Sequence, residues 1–169
     1  MLIRQEKTED FSQIYDLVKT AFETAEVSNG DEQNFVNKLR ASDNYLPELA
    51  LVAEENDKLI GHIMLTKTYI IDNENKFETL YLAPVSVLLE HRRQGIGANL
   101  IKEVFKLATD MGYKSVVLVG NPNYYSRFGF KKSTGFGIKN VNDIPDEYVM
   151  ACELTQGGLS EINGTINFF

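Results

Sequence analysis

Apolar residues recur along this chain at two periods, and the switches between them lay out a series of helices and strands. Leu2 to Gln5 reads as a short first strand. Thr8-Glu9-Asp10 offers a helix N-cap with acidic residues in the first turn. Phe11, Ile14, Tyr15, Val18, Ala21 and Phe22 then repeat at helical spacing. Ser28-Asn29-Gly30 breaks this helix, and a second is expected from Asp31 to Ala41 with Phe35, Val36 and Leu39 inward. Three strand-like runs follow, Leu49–Glu54, Leu59–Ile71 and Phe77–Val87. Polar turns at 55–58 and 72–76 separate them, the pattern of an antiparallel meander. Pro84 sits inside the third run and lacks the N–H that a continuous ladder needs.

The strongest helical stripe comes next: Ile96, Leu100, Ile101, Val104, Phe105, Ala108 and Met111, with Gly112 at C′. Ser115–Val119 is nearly all apolar, as expected of a strand covered on both faces. Strand 77–87, helix 96–111 and strand 115–119 together predict a right-handed βαβ unit. Pro122 opens a short helix that ends before Gly129. Beyond Phe130 the pattern loosens through the polar stretch KKSTGFGIKNVND. Tyr148–Leu154 and Gly164–Phe168 read as further strands. No repeat, low-complexity tract or linker interrupts the chain, so a single domain over 1–169 is expected.

Composition narrows the function classes. A chain of 169 residues, 43% of them apolar, has material for one core without staples. A net charge of −7 argues against a general nucleic-acid surface and suits a cationic amine acceptor. The one cysteine, Cys152, excludes an internal disulfide, and His62 and His91 show no metal-ligand spacing with it. The N-terminal residues lack a leader-like apolar core, and no run has membrane-spanning length. A cytoplasmic setting, with no metal, nucleic-acid or membrane partner, is the expectation; a homodimer is compatible with it.

The chemistry concentrates between residues 84 and 130. Arg92, Arg93, Gln94, Gly95, Ile96, Gly97 and Ala98 lie between an apolar strand and the periodic helix. Glycines there let backbone approach a ligand, and the first turn of a helix presents unpaired N–H groups and a dipole that favours an anion. Two arginines add charge, and the whole reads as a pyrophosphate cradle. A dinucleotide fingerprint fails because Leu100 stands where a third glycine is needed, and no Gly-Lys-Ser/Thr of a phosphate-binding P-loop follows.

The pattern Arg92-x-x-Gly95-x-Gly97, with the downstream Tyr125-Ser126-Arg127-Phe128-Gly129-Phe130, resembles the two signatures of the GNAT superfamily of acetyl-CoA-dependent N-acetyltransferases. GNPNYYSRFGF looks closest to a bacterial branch of predicted acetyltransferases. The resemblance implies a mixed α/β (α+β) fold: a six- to seven-stranded, mostly antiparallel sheet, splayed between the fourth and fifth strands and flanked by about four helices. It implies a bulge near Pro84. It also implies an acceptor-selecting role for residues 22–36 and acetyl-CoA as co-substrate.

By the same resemblance, the backbone of Val85, Ser86 and Val87 holds the pantetheine and the acetyl oxygen. Asn121 bonds the pantetheine, or else simply forms the turn before Pro122. Tyr125 gives a proton to the leaving thiolate, or else packs against Phe128 or Phe130. The general base is left open. The family's acidic position falls near Tyr81, and Glu54, His62 and Glu78 are weak candidates, His62 reading better as a hydrogen-bonded, half-buried histidine. Cys152 has no histidine placed to activate it, so direct attack by the amine is expected over an acyl-enzyme. The alternatives are a non-catalytic acyl-CoA-binding or sensor module and transfer of a longer acyl group.

Overall fold

The computed structural model describes residues 1–25 and 28–169. Its chain divides into two compact units, residues 1–66 with 83–107, and residues 67–82 with 108–169. The first contains β1 (Leu2–Gln5), α1 (Phe11–Phe22), α2 (Glu32–Arg40) and β2 (Tyr45–Glu55). It also takes the first part of β3 (Lys58–Asp72), the last part of β4 (Asn75–Val87) and most of α3 (Ile96–Asp110). β1 runs antiparallel to β2, and β2 to β3, with Val52 opposite His62 and Ala53 opposite Gly61.

The apolar stripe of α1 does what its spacing predicts. Ile14, Leu17 and Val18 join Val36 of α2 against Ala50 and Val52 of β2 and Leu59 and Met64 of β3. Asp10 sets the start of α1. Its carboxylate accepts from the Lys7 N–H at 2.8 Å and from Arg4 of β1 at 2.8 and 3.1 Å. Burial of that carboxylate is compensated by the guanidinium beside it, which holds Asp10 below the usual carboxylate range.

Helix α3 buries Ile96, Leu100, Ile101, Val104 and Ala108. Met111, expected on this stripe, is exposed, because the helix stops at Asp110 and Met111 no longer follows its period. The first turns of α3 press on β3 at Gly61. A Cβ there would stand 3.0 Å from Leu100 Cδ1, 3.1 Å from Ile96 Cγ2 and 3.3 Å from the Ser86 carbonyl oxygen. Only a residue without a side chain lets helix and strand come this close.

The second unit holds the rest of β3 and β4, then β5 (Ser115–Val119), α4 (Pro122–Tyr125), β6 (Lys131–Lys132), β7 (Ile138–Asn140), β8 (Val149–Glu153) and β9 (Gly164–Ile166). β4 and β5 are parallel, with Leu80 opposite Val116 and Tyr81 opposite Val117. β8 runs antiparallel along the whole of β5 and also takes β6. β9 pairs in parallel with β7 and meets β3 where Thr165 faces Ile71.

The strand order is β1-β2-β3-β4-β5-β8-β6, with β7 and β9 off that path. This is the expected mixed, mostly antiparallel sheet with four helices. Nine strands replace the six or seven expected; the additions β6 and β7 come from the irregular stretch after Phe130. Pro84 lies within β4 after a cis peptide bond from Ala83.

Gly61→Val is expected to destabilise the protein by about 1–3 kcal/mol through overpacking against α3. Urea unfolding checks this, and an unchanged midpoint would mean that the contact is slack.

Candidate active site

At the end of β4 the Leu88 N–H donates to Ile60 O at 3.0 Å. A single 3-10 turn, Leu89–His91, then leads into the loop before α3. Arg93 at φ +64° and Gly95 at φ +80° turn this loop through left-handed conformations, the second of which favours glycine. Asn99 N–H to Gly95 O, 3.0 Å, is the bond that opens α3. The N–H groups of Ile96, Gly97 and Ala98 precede it, in the turn that has no intrahelical acceptors. Ile96 and Gly97 are buried and Ala98 is half-buried, so the amides are held on a fixed floor.

The charged residues of the loop divide differently from the sequence expectation. Arg92 donates to Ala21 O at 2.6 Å and to Thr24 Oγ1 at 3.2 Å, so its cation sits at the C-terminal end of α1. Arg93 and Gln94 are exposed, and Gln94 reaches back toward Glu90 O at 3.4 Å. The His91 ring lies 3.9 Å from Glu55. Of the segment 22–36, residues 26 and 27 lie outside the described residues.

On β4 the three expected backbone positions separate by parity. Successive residues of a strand aim their N–H and C=O groups at opposite neighbours. Leu88 faces β3, and Ser86 O lies beside Gly61 of β3. Ser86 therefore directs its backbone toward β3, while Val85 and Val87 direct theirs away from it. The Ser86 side chain is buried, and among the described residues its Oγ has no hydrogen-bond partner.

In the second unit, Asn121 caps α4: its Oδ1 accepts from the Asn123 N–H at 2.9 Å, and Pro122 follows at N1. This is the turn-forming role. Tyr125 ends α4, its ring edge-on to Tyr124 at 4.9 Å and to Phe130 at 5.8 Å. Gly120 makes room for it, since a Cβ there would come within 2.6 Å of the Tyr125 ring. Burial, with Tyr124 and Tyr81 nearby, pushes the phenol pKa above its ordinary 10.0, so the group stays protonated at neutral pH. Burial likewise pushes the Cys152 thiol up to about 11.

The three candidate bases fare unequally. Glu54 is paired with Arg4 at 3.1 Å, and Glu78 lies at the surface 4.0 Å from Lys67. His62 is fully buried rather than half-buried and is bonded through Nε2 to Glu6 Oε1 at 2.9 Å. It belongs to a network that sequence reasoning missed. Arg40 donates to both Glu6 oxygens, at 2.7 and 3.0 Å, and the Tyr45 hydroxyl donates to Oε2 at 2.7 Å. Arg40 also stacks 3.9 Å over the Phe11 ring. Residues 6, 40, 45 and 62 sit on four different elements, and no local spacing links them.

Burial alone would push Glu6 up, but the donors His62, Arg40 and Tyr45 outweigh it and hold the carboxyl at about 2. Burial pushes His62 down, against the pull of Glu6, so the imidazole is neutral at neutral pH. Both shifts favour the fold at higher pH. The His62 contribution is complete above its ordinary 6.5 and is lost as the pH falls below it. That of Glu6 is complete above 4.5 and is lost toward about 2. The melting temperature is therefore expected to decline in two stages on acidification, and Glu6→Gln to lack the lower stage. A wild-type curve flat below about pH 6 would contradict the assignment.

A sequence profile described as an acetyltransferase (GNAT) domain matches residues 2–133. The N-acetyltransferase YhbS of Escherichia coli K12 is 32% identical over 169 residues, spanning 99% of this chain and 96% of its own. A crystal structure of YhbS with CoA superposes at a TM-score of 0.88, covering 99% of this chain and 89% of that one at 24% identity. A GNAT acetyltransferase from Brucella melitensis, solved with acetyl-CoA, gives 0.79 at 28% identity, covering 99% and 95%. A profile running from β1 through the cradle to Tyr125 and beyond, together with a relative alike over nearly its whole length, makes this chain an enzyme of the GNAT acetyltransferase family.

Proposed function

We propose that the protein transfers the acetyl group of acetyl-CoA to a primary amine of a small molecule or peptide, by direct attack in a ternary complex. The observation that carries the reading is the cluster of N–H groups at 96–98, pinned behind Gly95 with the helix dipole behind them. On a chain of net charge −7, a polyanion is best held by such local dipoles. Gly95, Ile96, Gly97 and Ala98 take the diphosphate through their backbone. Arg93 and Gln94 line the loop, and Arg92 acts through its hold on α1. The CoA of the YhbS structure and the acetyl-CoA of the Brucella structure support this choice of co-substrate.

Val85 and Val87 offer N–H groups directed away from β3, suited to the pantetheine and to the thioester oxygen as it gains charge. Ser86 contributes its carbonyl to β3 instead. Asn121 shapes the α4 turn rather than donating a free side chain to the pantetheine.

The amine nitrogen attacks the thioester carbon, the N–C bond forms and the C–S bond breaks. Tyr125, kept protonated by burial, gives its proton to the departing thiolate. Cys152, a thiol held at about 11, is a poor nucleophile at neutral pH, which supports direct attack over an acyl-enzyme.

A panel containing a polyamine, an aminoglycoside and a lysine peptide, assayed for CoA release, tests the activity. Binding of acetyl-CoA without release to any amine would favour the acyl-CoA-binding module. Ala98→Glu places an acid where a helix tolerates it but a diphosphate does not. It is expected to weaken acetyl-CoA binding at least about 100-fold by calorimetry, and unchanged affinity would move the site elsewhere. Tyr125→Phe is expected to lower kcat about 100-fold with little change in acetyl-CoA affinity; undiminished turnover would remove Tyr125 as the acid.

A further inference from the structure

The buried network around His62 has one end that the fold alone does not explain. Glu6 is saturated: Oε1 accepts from His62 at 2.9 Å and Arg40 at 3.0 Å, and Oε2 from Arg40 and Tyr45, each at 2.7 Å. An ionised, fully bonded carboxylate makes Nε2 of His62 the donor and fixes the tautomer. Nδ1 then carries a lone pair. It is buried, and among the described residues it has no partner.

A second polar atom without a partner lies close by. The Leu88–Ile60 bond and the approach of Ser86 O to Gly61 set the register of β3 and β4. Residue numbers across an antiparallel pair sum to a constant, which places His62 opposite Ser86 on the same face of the sheet. Val52, across β2 from His62, packs with α1, so this is the face that α1 and α2 cover. Cβ atoms of such a pair stand about 5 Å apart, the right order for one water between Nδ1 and Oγ. Two buried polar atoms, 0% and 2% exposed by residue, call for such a partner.

We propose that Glu6, His62 and Ser86 form a proton relay, in which a water held between Ser86 Oγ and His62 Nδ1 carries the attacking amine's proton onto Nδ1. The relay rests on the acetyl-transfer reading and supplies the base that reading lacks. As the N–C bond forms, the nitrogen sheds one proton to the water and the water passes one to Nδ1. The imidazolium so formed is stabilised by the Glu6 carboxylate and later releases the proton to solvent. Tyr125 provides the separate proton taken by the thiolate. His62 is a positioning residue here, acting through the water. Ser86 belongs to the same stretch as Val85 and Val87, whose amides face the thioester in the proposed reaction. A purely structural histidine would leave Nδ1 as an orphaned acceptor.

Two measurements on the intact protein decide the matter. Long-range proton–nitrogen NMR reads the tautomer directly, and with only His62 and His91 present, His91→Asn assigns the signals. The expected result at neutral pH is a protonated Nε2 and a bare Nδ1; a proton on Nδ1 overturns the relay. The second compares His62→Gln and Ser86→Ala with wild type across pH, using the panel amine of highest turnover. His62→Gln keeps an amide donor for Glu6 and is expected to lose about 100-fold in kcat at neutral pH. The loss should shrink as the pH nears the amine's own pKa of about 10, with the KM for acetyl-CoA unchanged. Ser86→Ala is expected to show the same pH-dependent loss in smaller measure.

Glu6, Asp10, Arg40 and Tyr45 are the titratable groups that act on His62, so their state must be constant over this range. Tyr45, pushed above its ordinary 10.0 by burial and Glu6, remains protonated. Profiles parallel to wild type, or a pH-independent loss, overturn the relay. A wild type that turns over no amine overturns the acetyl-transfer reading itself, and the relay with it.

Discussion

The structure of the candidate site depends on one close approach, that of the first turns of α3 to β3 at Gly61. Leu100 Cδ1 and Ile96 Cγ2 occupy the space a side chain would need, at 3.0 and 3.1 Å from the Cβ position. This contact settles where the helix begins relative to the strands. The amides of residues 96–98 gain direction from it, because Ile96 and Gly97 are packed rather than free. It also brings Ser86 O against β3, which orders β4 and leaves Val85 and Val87 with backbone groups facing the other way. An exclusion of volume at one residue thus shapes both the anion cradle and the strand beside it.

Charge is distributed in keeping with that geometry. The protein is acidic overall, and the arginine of the motif that might have met a phosphate directly is engaged with the end of α1. Recognition of a polyanion then rests on oriented neutral dipoles, which lose less on desolvation than fixed charges. Elsewhere in the same unit, Arg40 and Glu6 neutralise each other in a buried network that joins β2, β3 and α2 to the segment after β1. A pair of this kind is costly to break and weak as a source of net stability. Its better-supported consequence is precision: it orients an imidazole and a phenol to within a hydrogen bond.

Much of this was legible in the sequence where the signal is local. The stripe 96–108 and the meander run long enough for periodicity to mark them, and α1 begins and ends at the residues its pattern names. The cradle was legible because glycine placement and helix onset are short-range properties. β6 and β7 were not, since strands of two and three residues carry no period. The direction of Arg92 was not, because it depends on where α1 ends, 71 positions away in the chain. Neither was the Glu6–Arg40 pair, separated by 34 positions. Gly61 did leave a trace, an isolated glycine inside an apolar strand, which is the mark of close backbone approach.

The most direct test of the account is a backbone-amide NMR titration of the intact protein with acetyl-CoA. The account predicts that the amides of residues 95–98, Val85 and Val87 shift together and saturate at one affinity, while the Ser86 amide, committed to β3, moves less. Shifts that cluster elsewhere, with the α3 first turn unmoved, would contradict it.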